Sequence, residues 1–401
     1  MISARSAGSV AAPAGATPAV AAKRPPASAR QRAASACSAR RQKAGGLFAA
    51  TAGVAPAGAA TLPADRAEIM LHSYDGGGVK ATGPALLVRK SLAERVSLSA
   101  QYYVDMVSNA SIDVVTTASP YKETRTAYEL GAEFVVRDAS LALALSSSRE
   151  PDYVANAASL DVSQEVFGGM STVSLGFTRA ADDVGQRSLM RYFDRATHWQ
   201  YRVGLTQILS PRWLTSANFE LVSDSGYLGS PYRVARVFGA AVPERNPRTR
   251  TSRALKLRSI ADTGALVSRS SVRAEYRYFW DTWDIRAHTW EFGASRYVGE
   301  RWLLDASLRA YSQGKALFYS DNATAETLYV SRNRQLSTFK ATALSARATY
   351  SVGNAPAGYE IKVSGAWEYK RFRFSDFTDL RSGQPYAHNA SVLQLVVSVN
   401  Y

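Results

Sequence analysis

The chain has 401 residues, of which 46% are apolar and 20% charged, and its formal net charge is +15. Eight of the 48 basic residues and none of the 33 acidic residues lie in positions 1–60, so the rest holds 40 bases against 33 acids, interspersed. No basic run with interleaved aromatic residues remains there, which argues against a nucleic-acid partner. No apolar stretch reaches about 18 residues, which excludes a helical membrane span. The single cysteine, Cys37, lies in the first 60 residues, and a cysteine-free remainder suits an oxidising envelope compartment.

Residues 1–60 are predicted to form a disordered leader with a signal peptide. Through residue 45 the leader is mainly Ala, Arg, Ser and Pro without periodicity. It is either a genuine presequence or a reading frame extended upstream of its true start, and we favour the second. From Arg40 a basic segment, the apolar stretch Leu47–Ala55 and small residues follow in the order of a Sec signal peptide, with cleavage expected near Ala59 or Ala60. Further low-complexity sequence is the alternative. Residues 61–401 form the predicted barrel.

Past the leader, a dozen or more short segments alternate apolar and polar residues. In Val272–Trp280 one face is apolar and aromatic while the other carries Arg, Glu and Arg, and Trp302–Ala310 repeats the pattern with Asp and Arg. One charged face on nearly every strand leaves too little apolar surface for a soluble β core. The pattern predicts an all-β fold, a transmembrane antiparallel up-and-down barrel with lipid outside and a polar lumen inside.

The connections between these segments alternate between tight and long, as bacterial barrels alternate periplasmic turns with external loops. Counting strands through them gives about 16, with 14 to 16 as the expected range; Ala67–Tyr74 and Arg253–Ala261 are marginal. The tight connections are Ser91–Glu94, Phe167–Gly169, Ser210–Arg212, Gly299–Glu300 and Asn354–Gly358, and the long ones Ser108–Tyr121, Asp182–Asp194, Ser225–Thr251, Gly314–Arg334 and Asp376–His388.

The last strand places Leu393, Leu395, Val397 and Val399 on one face, and the chain stops at the aromatic Tyr401. A terminal aromatic residue that closes an amphipathic strand is similar to the signal by which the β-barrel assembly machinery recognises outer-membrane proteins. The sequence therefore predicts the outer membrane of a Gram-negative bacterium as the location, with its lipids and that machinery as partners.

Several specific strings give the chain a further likeness. They are HSYDGGGV (72–79), YYVDMVS (102–108), SIDVVTTASPYKE (111–123) and YRYFWDTW (276–283), the last followed by RAHT (286–289). From Leu62 onward it resembles a family of uncharacterised bacterial outer-membrane β-barrel proteins that carry a domain of unknown function. This resemblance implies an envelope barrel and no established activity. It also implies a periplasmic FMN transferase and a thioredoxin-like protein as partners.

The segment Asp113–Ser119 is the one candidate for a cofactor. It is similar to the Asp-x-x-Ser/Thr-Gly-Ala-Ser/Thr acceptor of FMN transferases, in which the last hydroxyl, here Ser119, takes the flavin phosphate, while Asp113 and Thr116 serve recognition. The sequence departs from that pattern at Thr117, where glycine is usual, and Pro120 follows. An ordinary loop is the alternative, and apart from this covalent FMN we expect no cofactor.

No other catalytic or metal site is predicted. The four histidines are far apart in sequence, and none has another histidine or a carboxylate at metal-ligand spacing. His288, in an aromatic segment, is expected at the rim or in the lumen with a hydrogen-bonded neighbour. The glycines 76–78 are expected to form a tight hairpin rather than a phosphate loop.

The predicted function is non-enzymatic: either passage of small polar or charged solutes, or housing of a flavin-linked redox component of the envelope. A lipid-modifying enzyme is the alternative, and it would need His, Ser and Asn or Asp to converge at one rim. Charges of both signs can line a hydrated pore or pair into a plug. The side chains expected to line the lumen are Arg202, Glu220, Arg258, Arg273, Glu275, Arg277, Glu291, Asp305, Arg309, Lys362 and Glu368.

Overall fold

A computed structural model describes residues 61–109, 121–186, 191–353 and 358–401. Within them are eighteen strands, of which sixteen form a closed antiparallel barrel whose first strand pairs with its last. The predicted fold class is confirmed. The strands are β1 (Arg66–Gly76), β2 (Val79–Ala93), β3 (Val96–Asn109), β4 (Tyr121–Val136), β5 (Ala139–Glu150), β6 (Tyr153–Val166), β7 (Ser171–Gln186), β8 (Arg191–Ser210), β9 (Trp213–Gly226), β10 (Val234–Val237), β11 (Ala240–Pro243), β12 (Thr249–Asp262), β13 (Ser270–Asp281), β14 (Arg286–Val298), β15 (Trp302–Gln313), β16 (Phe339–Ser351), β17 (Glu360–Asp379) and β18 (Gln384–Asn400).

The strands β10 and β11 stand apart from the barrel wall. They pair only with each other, as a hairpin within the connection between β9 and β12, so β9 pairs directly with β12 in the wall. No helix in the described ranges is long and apolar enough to cross a membrane.

Side-chain alternation explains why this sequence closes into a barrel. On β15, Leu304 is 43% exposed and its neighbour Asp305 is 7% exposed. An exposed leucine beside a buried aspartate is the reverse of the arrangement in a soluble protein. A lipid-facing outer wall and a polar interior require this arrangement. The same inversion runs through β14, whose inner face carries Thr289 and Glu291 and whose outer face carries Trp290 and Phe292.

The two ends of the barrel differ. At the end where β1 begins and β18 ends, here called the terminus end, the connections 94–95, 137–138, 167–170, 211–212 and 299–301 are tight. The other end, here called the loop end, holds the connections 227–248 and 314–338. It also holds the hairpin after β1, where Gly77 and Gly78 adopt φ of +58° and +79°, the left-handed region that a two-residue turn needs.

Two predicted long loops are wrong. Segments Asp182–Asp194 and Asp376–His388 lie largely in strands, because β7 and β8 extend to Gln186 and from Arg191, and β17 and β18 extend to Asp379 and from Gln384. The strands continue past the apolar band at the loop end. There the outer face no longer meets lipid, and Phe377 and Tyr386 pack in a buried apolar cluster, so the sequence loses its regular alternation while the backbone keeps its pairing.

Outward-facing aromatic residues form two rows, as the lipid–water boundaries favour. The terminus-end row contains pairs such as Trp302 with Tyr350, whose ring centroids are 4.9 Å apart, and Tyr359 with Tyr401, 6.3 Å apart. The aromatic residues toward the loop end, here called the loop-end girdle, are Tyr102, Tyr128, Trp199, Tyr201, Tyr276, Tyr278, Trp280, Trp290, Trp367 and Tyr369.

Connections at the loop end fold over one side of the mouth. Leu228, Ala316 and Leu336 from two connections pack with Phe339 and Phe374 from the ends of β16 and β17 in one buried apolar cluster. This covering, here called the cap, consists of residues 227–248, 282–285 and 314–338. It lies mainly over strands β12–β18, so the larger apolar cluster sits at the rim. A smaller cluster, formed by Met70, Ala85, Tyr103, Ala127 and Val396, lies on the inner face of β1–β4 and β18.

Candidate functional site: the barrel lumen

The inner wall of β13–β17 carries a chain of alternating charges. Glu291 on β14 accepts hydrogen bonds from Arg309, at 2.8 and 3.0 Å, and from Arg273, at 3.3 Å. Arg309 also donates to Glu368 on β17 at 3.0 Å, and Glu368 is paired with Lys370 at 3.0 Å. Bidentate and shared contacts of this kind hold guanidinium groups in fixed positions. The charges therefore line the wall as pairs rather than as isolated ions.

A second group of paired charges continues along β9, β12 and β13. Glu275 lies 2.9 Å from the ammonium of Lys256 and 3.9 Å from Arg258, and Glu220 lies 3.8 Å from Arg277. Glu275 lies on the strand next to Lys256 and Arg258, whereas Glu220 and Arg277 approach each other across β12, which lies between their strands. Together with the first group they cover the inner wall from β9 to β17.

Glycines in the wall allow two arginines to lie flat against it. A Cβ on Gly176 would meet Arg202 at 2.6 Å, and a Cβ on Gly293 would meet the guanidinium carbon of Arg273 at 2.4 Å. Arg202 is held in this position by Asp161, whose carboxylate accepts its N–H at 2.7 Å.

The middle of the inner face of β5 and β6, between Tyr153 and Asp161, is built from small residues. They share short side chains without formal charge, and they are Ala142, Ala144, Ser146, Ala155, Ala157 and Ser159. In the strand order of the closed barrel, β5 lies eight strands from β15, half of the circumference. The lumen thus has a flat, small-residue wall facing the wall of paired charges.

His198 lies on the inner face between two carboxylates. Its Nδ1 is 2.7 Å from Asp224 on β9 and its Nε2 is 3.1 Å from Asp182 on β7. Tyr153 on β6 donates its O–H to the same Asp182. Four strands are thereby linked by one row of hydrogen bonds near the loop end.

His72 forms a second inward-facing group. Its Nε2 is 2.7 Å from Asp105 and 3.0 Å from the hydroxyl of Tyr103, whose ring stacks on the imidazole at 4.7 Å. Arg125 lies 3.7 Å from the same carboxylate. Among the described residues, the inward-facing His72 and His198 therefore bond to carboxylates, whereas the third inward-facing histidine, His388, stacks on Phe372 and Phe374. The serine that a lipid-modifying triad needs is not bonded to His72 or His198.

Three carboxylates that are distant in sequence meet at the loop end of β4–β6. Ligand atoms of Glu123, Glu150 and Asp152 all lie within 4.8 Å of one another. Tyr232, in the cap, donates its O–H to Asp152, which ties the connection after β9 to the turn between β5 and β6. Sequence spacing could not reveal this group, because the strand register brings its members together.

The cap is anchored by a fully buried ion pair. Arg250 is 1% exposed and pairs with Asp281, whose other oxygen accepts the backbone N–H groups of Trp283 and Ile285 at 3.0 and 2.9 Å. The guanidinium also stacks on the Trp283 ring at 4.6 Å. Above this anchor, burial raises the pKa of the Tyr319 phenol, whose O–H donates to the carbonyl of Asp376 at 2.8 Å.

All eleven side chains predicted to line the lumen lie on the inner face, opposite the exposed apolar residues. Besides those described above, Asp305 accepts the Ser295 hydroxyl at 2.5 Å and Lys362 lies 2.6 Å from Glu360. His288 lies on the outer face, where its Nδ1 is 2.8 Å from the Tyr276 hydroxyl, rather than in the lumen.

The predicted flavin acceptor lies outside the described residues. Asp113, Thr116 and Ser119 all fall in the segment 110–120. Modification at Ser119 therefore stays a prediction.

Comparison with known proteins agrees with the barrel. Residues 185–364, less than half of the chain, match a family described as "Protein of unknown function (DUF3570)". No curated protein sequence matches the chain. Among solved structures, a bacterial polysaccharide outer membrane secretin is similar over 84% of this chain and 98% of its own, at TM-score 0.50 and 10% identity. The chain has the fold of bacterial outer-membrane β-barrels.

Two other solved barrels resemble it at lower TM-score. The siderophore receptor PirA from Pseudomonas aeruginosa matches with TM-score 0.41 and 10% identity, over 79% of this chain and 60% of its own length. A FadL homologue from Pseudomonas aeruginosa matches with TM-score 0.41 and 11% identity, over 85% of this chain and 90% of its own. The barrel thus spans well under two thirds of the receptor.

Proposed function

We propose that this barrel is a non-enzymatic channel through which small polar or charged solutes cross the outer membrane. The observation that carries the proposal is the inner wall, where arginines lie flat against glycines and pair with carboxylates while small residues face them. Barrels of 16 to 18 strands are wide enough to leave an aqueous channel. The charged wall itself is packed, since Glu291, Asp305 and Arg309 are 5%, 7% and 6% exposed, so the proposed channel runs along the more exposed small-residue wall of β5 and β6.

The orientation follows from the two ends. Bacterial barrels place tight turns on the periplasmic side and longer loops outside. The terminus end accordingly faces the periplasm, and the cap covers part of the external mouth.

Because both signs of charge are paired along the wall, we expect weak discrimination between cations and anions. A pore lined by an unpaired ring of one sign would instead select the opposite ion. The lumen is therefore suited to small hydrophilic solutes rather than to one ion.

Conductance in a planar bilayer tests the channel with a matched pair of variants on β6. Ala157 faces the lumen and Ala158, its chain neighbour, faces lipid. Ala157→Trp adds a large side chain to the small-residue wall and is expected to lower single-channel conductance, whereas Ala158→Trp adds the same volume outside and is expected to leave it unchanged. Folding of each variant is checked by heat-modifiable mobility on gels.

Two results would overturn the proposal. One is a folded wild-type barrel that conducts no ions, which would indicate a plugged lumen. The other is an equal effect of the two tryptophans, which would show that the current does not pass along the small-residue wall.

A further inference from the structure

Three basic side chains cluster on the outer wall at the loop end. Lys340 on β16 lies directly opposite Arg373 on β17, and Arg371 follows two residues earlier on the same outward face. All three are exposed. Arg371 comes directly after the outward aromatic residues Trp367 and Tyr369 of the loop-end girdle. The cluster therefore begins where the apolar band ends on this strand.

No acidic residue compensates this charge within the described part of the outer wall. The outward cross-strand neighbours are Ser312, Thr342, Asn389 and Ala387. The nearest carboxylates along β17 are both engaged: Glu368 pairs with Arg309 and Lys370 on the inner face, and Asp376 accepts the backbone N–H of Thr338 at 2.8 Å. Like charges directly opposite each other on neighbouring strands are destabilising. The isolated barrel consequently carries an unfavourable pair at this position.

The surroundings suit an anionic lipid headgroup. Hydroxyl and amide groups flank the cations, and aromatic rings that anchor at the lipid boundary lie below them along β17. Guanidinium and ammonium groups both bind phosphate, and Arg does so through paired N–H groups. Elsewhere on this wall the exposed cation Lys80 has its own partner, Asp75, at 2.9 Å. The cluster of Lys340, Arg371 and Arg373 has no such partner.

We propose that Lys340, Arg371 and Arg373 form a binding site for the phosphate groups of an anionic glycolipid in the outer leaflet. The bound headgroup would lie between β16 and β17 and relieve the repulsion between Lys340 and Arg373. The site rests on the orientation proposed above, in which the loop end faces outward. It does not depend on whether the lumen conducts.

Native mass spectrometry of the detergent-solubilised full barrel tests this with two probes, bisphosphorylated lipid A and the same lipid with its phosphates removed. The wild type is expected to retain one molecule of the phosphorylated lipid and none of the other. The triple variant Lys340→Gln, Arg371→Gln, Arg373→Gln is expected to bind it roughly a hundredfold more weakly, since each cation near an anionic surface contributes about a factor of five. The matched control replaces Arg95, Arg212 and Arg296, three exposed cations of the terminus end, with Gln.

A thermal measurement separates lipid binding from a folding defect. Without lipid, the triple variant is expected to unfold at a higher temperature than the wild type, because the opposed cations are gone. Added phosphorylated lipid A is expected to stabilise the wild type and not the variant. Equal binding of the dephosphorylated lipid, an equal loss in the terminus-end control, or displacement by millimolar inorganic phosphate would each overturn the assignment of a glycolipid site. Conductance measured on the same samples tests the proposed channel, and its result does not depend on whether the lipid binds.

Discussion

Replacing Glu291 by Gln tests whether the charge chain of the inner wall is a coupled unit. Glu291 is 5% exposed and serves two guanidinium groups, Arg309 at 2.8 Å and Arg273 at 3.3 Å. Removing one partner of a buried ion pair destabilises a protein by about 3–5 kcal/mol, because the remaining charge stays buried. Arg309 keeps its contact with Glu368 at 3.0 Å, and a Gln oxygen still accepts one hydrogen bond. We therefore expect a loss near the lower end, about 3 kcal/mol.

The assay has two readouts. Urea unfolding of the barrel in lipid vesicles, followed by tryptophan fluorescence, gives the change in free energy of unfolding. The reversal potential across a salt gradient is expected to shift toward anion selectivity, since one positive charge of the lumen wall loses its partner. Glu300→Gln, in an exposed turn at the terminus end, is the control for both. A change in stability below about 0.5 kcal/mol, the usual size of a surface effect, would refute the coupled wall.

Four further outcomes are expected. Leu304→Arg on the lipid face should cost about 2–4 kcal/mol, whereas Asp305→Asn, which keeps an acceptor for the Ser295 hydroxyl, should cost little; equal losses in urea unfolding would contradict the barrel. Asp281→Asn should free the cap from its buried arginine, which proteolysis of residues 314–338 would report, and an unchanged digestion pattern would mean that the apolar cluster alone holds the cap. Removing Tyr401 should reduce the amount of barrel assembled in the outer membrane, measured against wild type in membrane fractions. If Ser119 carries FMN, the mature protein should gain the mass of the flavin mononucleotide less water and lose its in-gel fluorescence in Ser119→Ala; an unmodified protein from cells that contain the transferase would remove the flavin hypothesis.

The wall of the barrel could be predicted from the sequence because alternation is a local property. Leu304 beside Asp305 reveals inside and outside within one dipeptide, and repetition of that pattern gives the strand number. The prediction held even for the marginal first strand, where the structure shows β1 from Arg66 to Gly76.

The groups that meet across strands could not be predicted, because they depend on register. His198 finds its carboxylates 16 and 26 residues away, and His72 finds Asp105 33 residues away. Neither spacing matches a motif. A shift of one residue in the pairing of a strand would move the inward side chains of that strand to the lipid face.

The cap was missed for a different reason. Its residues come from connections that read as polar loops, and its anchor unites Arg250 with Asp281 and Trp283, at the ends of β12 and β13. A buried arginine is recognisable only once its partner and its stacking surface are known. Sequence reasoning therefore placed Arg250 in the long connection Ser225–Thr251 and gave it no partner.

The end of β17 joins the external surface to the cap. Arg371 and Arg373 face outward, while the residue between them, Phe372, and the next, Phe374, face inward and pack against Phe339 on β16. Phe339 is in turn the neighbour of Lys340 in the chain. An anion that bridges Lys340 and Arg373 would thus restrict the motion of β16 and β17, the two strands against which the cap packs. Because Lys340 and Phe339 are on one strand and Arg373 and Phe374 on its neighbour, a lipid bound outside would restrict the motion of both strands. The position of the cap at the mouth would thereby be stabilised without any contact between lipid and solute.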